Sequence, residues 1–143
     1  MALTPEQIER IASSYQLVEP RLDELVALFY SNLFQAAPQV RSMFPDDMEN
    51  QKKHLSASLK LVAQNINKLE SLEGALNEMG ARHVGYGAQE EQYPVVRDTL
   101  VSSMAEIAGY TWTQSIADAW IEALNVVAGY MIDGQRSAVS KAA

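Results

Sequence analysis

Residues 72–87 read LEGALNEMGARHVGYG, and the rest of the chain is arranged around this stretch. Leu72, Leu76, Met79 and His83 recur at steps of four, three and four, the spacing of one helix face. At about 100° per residue the four fall within roughly 40° of one another. His83 therefore points where the apolar side chains point. Gly85 and Gly87 follow, and glycine just past the last periodic residue predicts the helix end. A histidine in the last turn of an apolar face is either a satisfied core residue or a ligand. This stretch alone leaves both readings open.

Upstream, Asp46 or Asp47 offers a cap for a helix over about 47–67, with Met48, Leu55, Leu59, Val62 and Ile66 as its stripe. Projection puts Gln51 about 35° from the mean direction of that stripe and His54 about 95° away, at its edge. Lys52, Lys53 and Lys60 read as a solvated face. Further back, Pro38 starts a short helical turn ending at Phe44-Pro45. The residue before proline avoids helical geometry, so Phe44 is expected at a corner. Pro20 opens a helix with Leu22, Leu25, Val26, Phe29 and Leu33 inward, and Tyr30 and Phe34 widen its apolar surface. Thr4-Pro5-Glu6-Gln7 has the form of a capping box for a first helix over 5–18, with Ile8, Ile11, Tyr15 and Val18 inward.

Downstream of His83, a loop over 86–92 leads to Tyr93-Pro94. Pro94 is expected to start a helix that includes Val95, Val96, Leu100, Met104 and Ile107. Thr111-Trp112-Thr113-Gln114 offers another capping box, followed by the stripe Ile116, Trp120, Leu124, Val127 and Met131. This last helix is expected to run towards Asp133-Gly134, with QRSAVSKAA as a small, polar, fraying tail. The chain thus reads as all-α, one domain over 1–143 with its core at about 4–134. There is no internal repeat or linker.

Composition narrows the function classes. The 143 residues suit one sizeable core, and there is no cysteine, hence no disulfide, thiolate metal site or CxxCH haem attachment. Eleven Lys+Arg against eighteen Asp+Glu give a formal charge of −7, which disfavours nucleic acid and anionic membranes as partners. MALTPEQIER lacks a basic-then-apolar signal pattern and no apolar run is long enough to span a bilayer, so a cytoplasmic location is the expectation. No Glu-x-x-His pair supports a carboxylate-bridged dimetal bundle, and two histidines are too few for a zinc site. No phosphate-binding glycine loop occurs. One inward histidine, one inward glutamine, a tyrosine and many large apolar groups remain. That inventory suits haem, whose macrocycle brings four nitrogens and asks the protein for one strong axial ligand.

The segments LFYSNLF, PQVRSMF, MENQKKHL, ARHVGYG, QYPVV and ADAW occur in that order. With them the chain resembles a single-domain bacterial globin, similar to the haem domain of flavohaemoglobins, over roughly residues 4–134. The resemblance implies a 3-over-3 helical sandwich enclosing haem b. Under it His83 matches the proximal iron ligand, and Phe44 matches the aromatic wedged against the porphyrin. Tyr30 and Gln51 match the distal pair that donates hydrogen bonds to a diatomic ligand, with Leu55 beside them. A second register stays open: His54 lies 29 residues before His83 (83 − 54), near the spacing of vertebrate muscle globins, and would then be distal. Counting forward from Phe44, and the helical projection, favour Gln51. His54 would then sit near the pocket mouth, able to meet a propionate with Lys53 or Arg82.

On the proximal side, Tyr93 matches a tyrosine that flavohaemoglobins pair with a glutamate behind the histidine. Here the glutamate position reads Gln135 or thereabouts, which carries no charge and implies a weaker push on the iron. Two functions follow as expectations. One is reversible binding of O2, and of NO or CO, for storage, delivery or sensing by a monomer or weak homodimer, with tight O2 retention. The other is nitric oxide dioxygenation with Tyr30, Gln51 and Tyr93 in the machinery and a separate reductase as electron donor. A haemless helical protein that keeps the fold is the third reading.

Overall fold

A computed structural model describes residues 3–142, with the side chain of Ala142 left out; Met1, Ala2 and Ala143 lie outside the described residues. The described chain contains six α-helices, α1 (Pro5–Val18), α2 (Leu22–Ala36), α3 (Glu49–Gln64), α4 (Glu73–Gly85), α5 (Gln92–Ala108) and α6 (Gln114–Ala142). Short 3-10 segments join several of them, and there is no strand among the described residues.

The caps follow the sequence. The Thr4 hydroxyl accepts from the Gln7 amide and the Gln7 side chain accepts from the Thr4 amide, closing the capping box. The Thr113 hydroxyl accepts from the Ile116 amide at 3.2 Å and so caps α6. At α3 they do not: the cap position falls on Met48, which makes no side-chain cap bond, while the Asp47 carboxylate accepts from the amide of Glu49, the first helical residue, at 3.0 Å. Pro94 does not open α5, which begins at Gln92; it lies in the first turn, where a missing N–H costs no intrahelical bond. The helix expected over 47–67 ends at Gln64, and Ile66–Leu72 continues as a 3-10 segment broken at Lys68 (φ −153°, ψ 62°).

The core joins Ile11, Tyr15 and Val18 of α1, Leu25, Val26, Phe29, Tyr30 and Leu33 of α2, Leu59 and Val62 of α3, Leu76 of α4, Leu100, Val101 and Met104 of α5, and Trp120 and Met131 of α6. These are largely the predicted stripes. Val95 and Val96 depart from theirs and remain exposed. At the centre the buried Trp120 indole N–H donates to the Ser14 hydroxyl at 2.9 Å, across the interface of α6 with α1.

The largest departure is at the C-terminal end. The helix expected to stop near Gly134 runs on to Ala142. Gly134 is not a stop but a crossing point. A Cβ built on it would meet the Asn77 carbonyl oxygen at 1.9 Å, and one built on Gly80 would meet the Met131 carbonyl oxygen at 1.9 Å. Two glycines thus let the backbones of α4 and α6 touch, and this is the most extensive helix–helix contact among the described residues. Beyond it Gln135 is buried, and Arg136 pairs with Glu90. The predicted fraying fails because these side chains find partners on the loop after α4.

Candidate functional site

Among the described residues α3 packs on α2 and α4 packs on α6, whereas α3 and α4 share no extensive contact. The helix carrying Gln51 and the helix carrying His83 are therefore held by different partners.

The α2 side is an aromatic cage. The Tyr30 ring lies 4.9 Å from Phe29, 5.9 Å from Phe34 and 5.6 Å from Phe44, centroid to centroid. Phe44 is extended (φ −118°, ψ 152°), as the following proline dictates, and closes edge-on against Phe34 at 5.4 Å. Arg41 fixes this corner, a role that sequence reasoning missed. Its guanidinium donates to the carbonyls of Phe44, Pro45 and Asp46 and lies 5.1 Å over the Phe34 ring. An arginine three residues before an aromatic-proline pair was the available signal.

Gln51 donates from Nε2 to the Tyr30 hydroxyl oxygen at 3.1 Å, so the structure brings these two residues together. With its oxygen used as acceptor, Tyr30 keeps its hydroxyl hydrogen for another partner. Burial pushes the Tyr30 phenol above its ordinary value, with the Gln51 hydrogen bond acting the other way. The group stays a protonated donor at neutral pH. Leu55 is half-buried against the core, whereas His54 is exposed, as are Lys53 and Arg82. None of those three side chains takes part in an ion pair among the described residues.

On α4, His83 is half-buried and its Nδ1 lies 2.6 Å from the Met79 carbonyl oxygen. A carbonyl only accepts, so Nδ1 carries the hydrogen and Nε2 keeps its lone pair. Neither Tyr93 nor Gln135 bonds His83. Tyr93 donates to Gln135 Oε1 at 2.7 Å, and Gln135 Nε2 donates to the Ala88 carbonyl at 2.7 Å. Burial, and next the Glu90 charge, raise the Tyr93 phenol. The α4 terminus closes as a Schellman turn. Gly87 takes φ +83°, its amide donates to the Val84 carbonyl, and the Ala88 amide donates to the His83 carbonyl at 3.1 Å. Only glycine accepts that φ without strain.

These features fit an iron porphyrin. Among the described residues no group of three or more His, Cys, Asp or Glu side chains could hold a bare metal ion. One imidazole with a fixed tautomer and a free Nε2 suffices for a metal that arrives with four nitrogens of its own. A porphyrin also asks for apolar walls, and Val84, Val95 and Val96, beside His83 and Tyr93 in sequence, are exposed here.

The Globin family model matches residues 27–131. The chain is 30% identical over 140 residues to a flavohemoprotein of Candida norvegensis, covering 94% of this chain and 35% of that protein. It is 29% identical over 133 residues to the flavohemoprotein of Deinococcus radiodurans, covering 91% and 33%. The chain thus spans about a third of the length of these curated relatives. Among solved structures it is similar to a bacterial globin from Campylobacter jejuni, with a TM-score of 0.84 and 26% identity over 96% of this chain and 99% of that one. An engineered carbene transferase built on a candidate nitric oxide dioxygenase from Rhodothermus marinus gives a TM-score of 0.85 and 25% identity, covering 98% and 99%. The all-helical fold agrees with these matches, and the family model covers well over half of the chain: the chain belongs to the globin family.

Proposed function

We propose that this globin binds haem b non-covalently through His83 and reversibly binds O2, with Tyr30 as the main donor to the ligand. The observation that carries the reading is the Gln51–Tyr30 hydrogen bond. It consumes the phenol oxygen as acceptor and leaves its hydrogen to donate, within a cage of three aromatic rings. When bound, the haem supplies the iron that coordinates a diatomic gas and exchanges electrons. His83 presents Nε2 to that iron, with Met79 holding the tautomer. The lack of cysteine in the sequence is in keeping with a haem held by ligation and packing alone. Val84, Val95 and Val96 are apolar groups a porphyrin would cover, and Phe44 and Leu55 wall the Tyr30 side. Lys53, His54 and Arg82 are free to meet propionates at the rim.

A donor in a dry pocket favours a ligand that takes on partial negative charge. Such a hydrogen bond contributes about 1.5–3 kcal/mol, or roughly one to two decades in ligand release. Gln51 holds Tyr30 in place and adds less by direct contact. Slow release suits chemistry or sensing better than bulk transport. The second reading is therefore nitric oxide dioxygenation with a separate reductase, favoured by the solved structure just described and by the flavohemoprotein relatives.

The purified protein should show a Soret band. Tyr30→Phe should release O2 ten- to a hundredfold faster by stopped-flow. A missing Soret band would overturn haem binding, and an unchanged release rate would overturn the role of Tyr30. Mixing the oxygenated protein with NO, with and without a cellular reductase, separates the readings: sustained turnover assigns the dioxygenase, and a single turnover assigns storage or sensing.

A further inference from the structure

His83 sits in the last turn of α4, a place where helices fray. Its own tether, Nδ1 to the Met79 carbonyl, lies within that same turn and cannot fix the turn in space. Two features beyond α4 do so. Upstream, α4 touches α6 backbone to backbone at Gly80 and Met131, and at Asn77 and Gly134. Downstream, the Schellman turn returns the Ala88 amide to the His83 carbonyl, while the carbonyl of Ala88 accepts from Gln135 on α6. The other end of the Gln135 amide is taken by Tyr93 of α5. A chain of three hydrogen bonds, each 2.7–3.1 Å, therefore runs from α5 through α6 to the backbone of the histidine.

The chemistry of this chain requires an amide. The Ala88 carbonyl can only accept, so the nitrogen of Gln135 must face it. A flipped amide would set oxygen against oxygen. Oxygen then faces Tyr93, whose hydroxyl donates. One donor and one acceptor on a single planar group satisfy both partners. A carboxylate of the same shape offers two acceptors, keeps the Tyr93 bond and turns a negative oxygen on the Ala88 carbonyl. Gln135 is buried, so water does not readily replace the lost bond.

We propose that Gln135 is a positioning residue for the iron-ligating histidine, tying α5 and α6 to the Schellman turn that closes on the His83 carbonyl. The role rests on His83 as the haem ligand. It differs from an electronic push on the imidazole, because Gln135 makes no hydrogen bond to the ring.

The test is Gln135→Glu in the protein as purified, with Tyr93→Phe as a second variant and Arg136→Ala as a control. Arg136 makes a bidentate pair with Glu90 at 2.7 and 2.9 Å, so its removal loosens the same loop without touching the amide. Two readouts are taken: the iron–histidine stretching band of the ferrous protein by resonance Raman, and amide hydrogen exchange across residues 83–88. Gln135→Glu should shift and broaden the band and speed exchange at Ala88 about tenfold, as one lost buried hydrogen bond implies. Tyr93→Phe should act in the same direction and less strongly, and Arg136→Ala should leave the band in place. An unchanged band with Gln135→Glu would overturn the role, as would an equal shift from Arg136→Ala, which would assign the effect to loop tethering in general. A parent protein without haem would overturn the ligand role of His83, and the exchange data would separately report whether the tie exists.

Discussion

Replacing Gly80 by alanine tests the crossing on which the histidine helix rests. The added Cβ would stand 1.9 Å from the Met131 carbonyl oxygen, 2.5 Å from its carbon and 2.7 Å from its Cα, all of them backbone atoms that cannot swing aside. Ordinary contact begins near 3.4 Å, so α4 must retreat from α6 by up to 1.5 Å (3.4 − 1.9). Overpacking of this kind costs about 1–3 kcal/mol, against a gain of about 0.5–1 kcal/mol from the better helix propensity of alanine. The expected balance is a loss of up to about 2.5 kcal/mol, or a Tm lower by up to several degrees, where a free site would gain. Gly134→Ala should behave alike, because its Cβ would meet the Asn77 carbonyl oxygen at 1.9 Å. Gly129→Ala is the internal control: it lies in α6 with nothing within 4 Å of an added Cβ, and should stabilise by about 0.5–1 kcal/mol. Urea unfolding at matched protein concentration measures all three. Should Gly80→Ala prove as stable as Gly129→Ala, the backbone contact between α4 and α6 does not exist in solution. Since α4 carries His83, the retreat should also loosen haem, seen as faster haem loss to an excess of apomyoglobin.

Ser14→Ala removes the acceptor of the buried Trp120 indole and should cost about 1–3 kcal/mol in urea unfolding, the penalty of a stranded N–H. Gln51→Leu frees Tyr30 and should speed O2 release, whereas His54→Leu, at an exposed position, should leave release within about twofold; a large His54 effect would reinstate the alternative register. The Tyr30 and Tyr93 phenols titrate above the ordinary 10.0 in the folded chain, chiefly through burial. The folded chain thus holds these protons more tightly than the unfolded one. That stability is intact below about pH 10 and is lost as pH rises through the folded values. Urea midpoints should therefore fall above pH 10, less steeply in Tyr30→Phe, and O2 release should stay flat from pH 6 to 9.

Much of this protein is local chemistry and was legible in the sequence. The Thr4–Gln7 box starts α1, the proline after Phe44 makes the corner, and Gly87 supplies the left-handed residue that ends α4. Each depends on neighbours within a few residues, so spacing alone finds it. The stripe Leu72–Leu76–Met79–His83 was read in the same way; Leu72, in the 3-10 segment before α4, and Leu76 are buried, and Met79 and His83 are half-buried. Tertiary structure decided the rest. A glycine that ends a helix and a glycine that admits a crossing backbone look alike in sequence. Gly134 read as the first and proved to be the second once the Asn77 carbonyl stood against it. Helical projection favoured Gln51 over His54, but only the position of Tyr30 on another helix gives Gln51 its partner. Gln135, read from the sequence as an uncharged residue at the glutamate position behind the histidine, lies 47 residues beyond Ala88 (135 − 88) and bonds its carbonyl. Local spacing determines which face a side chain occupies; which group it meets there depends on how α5 and α6 fold back onto α4.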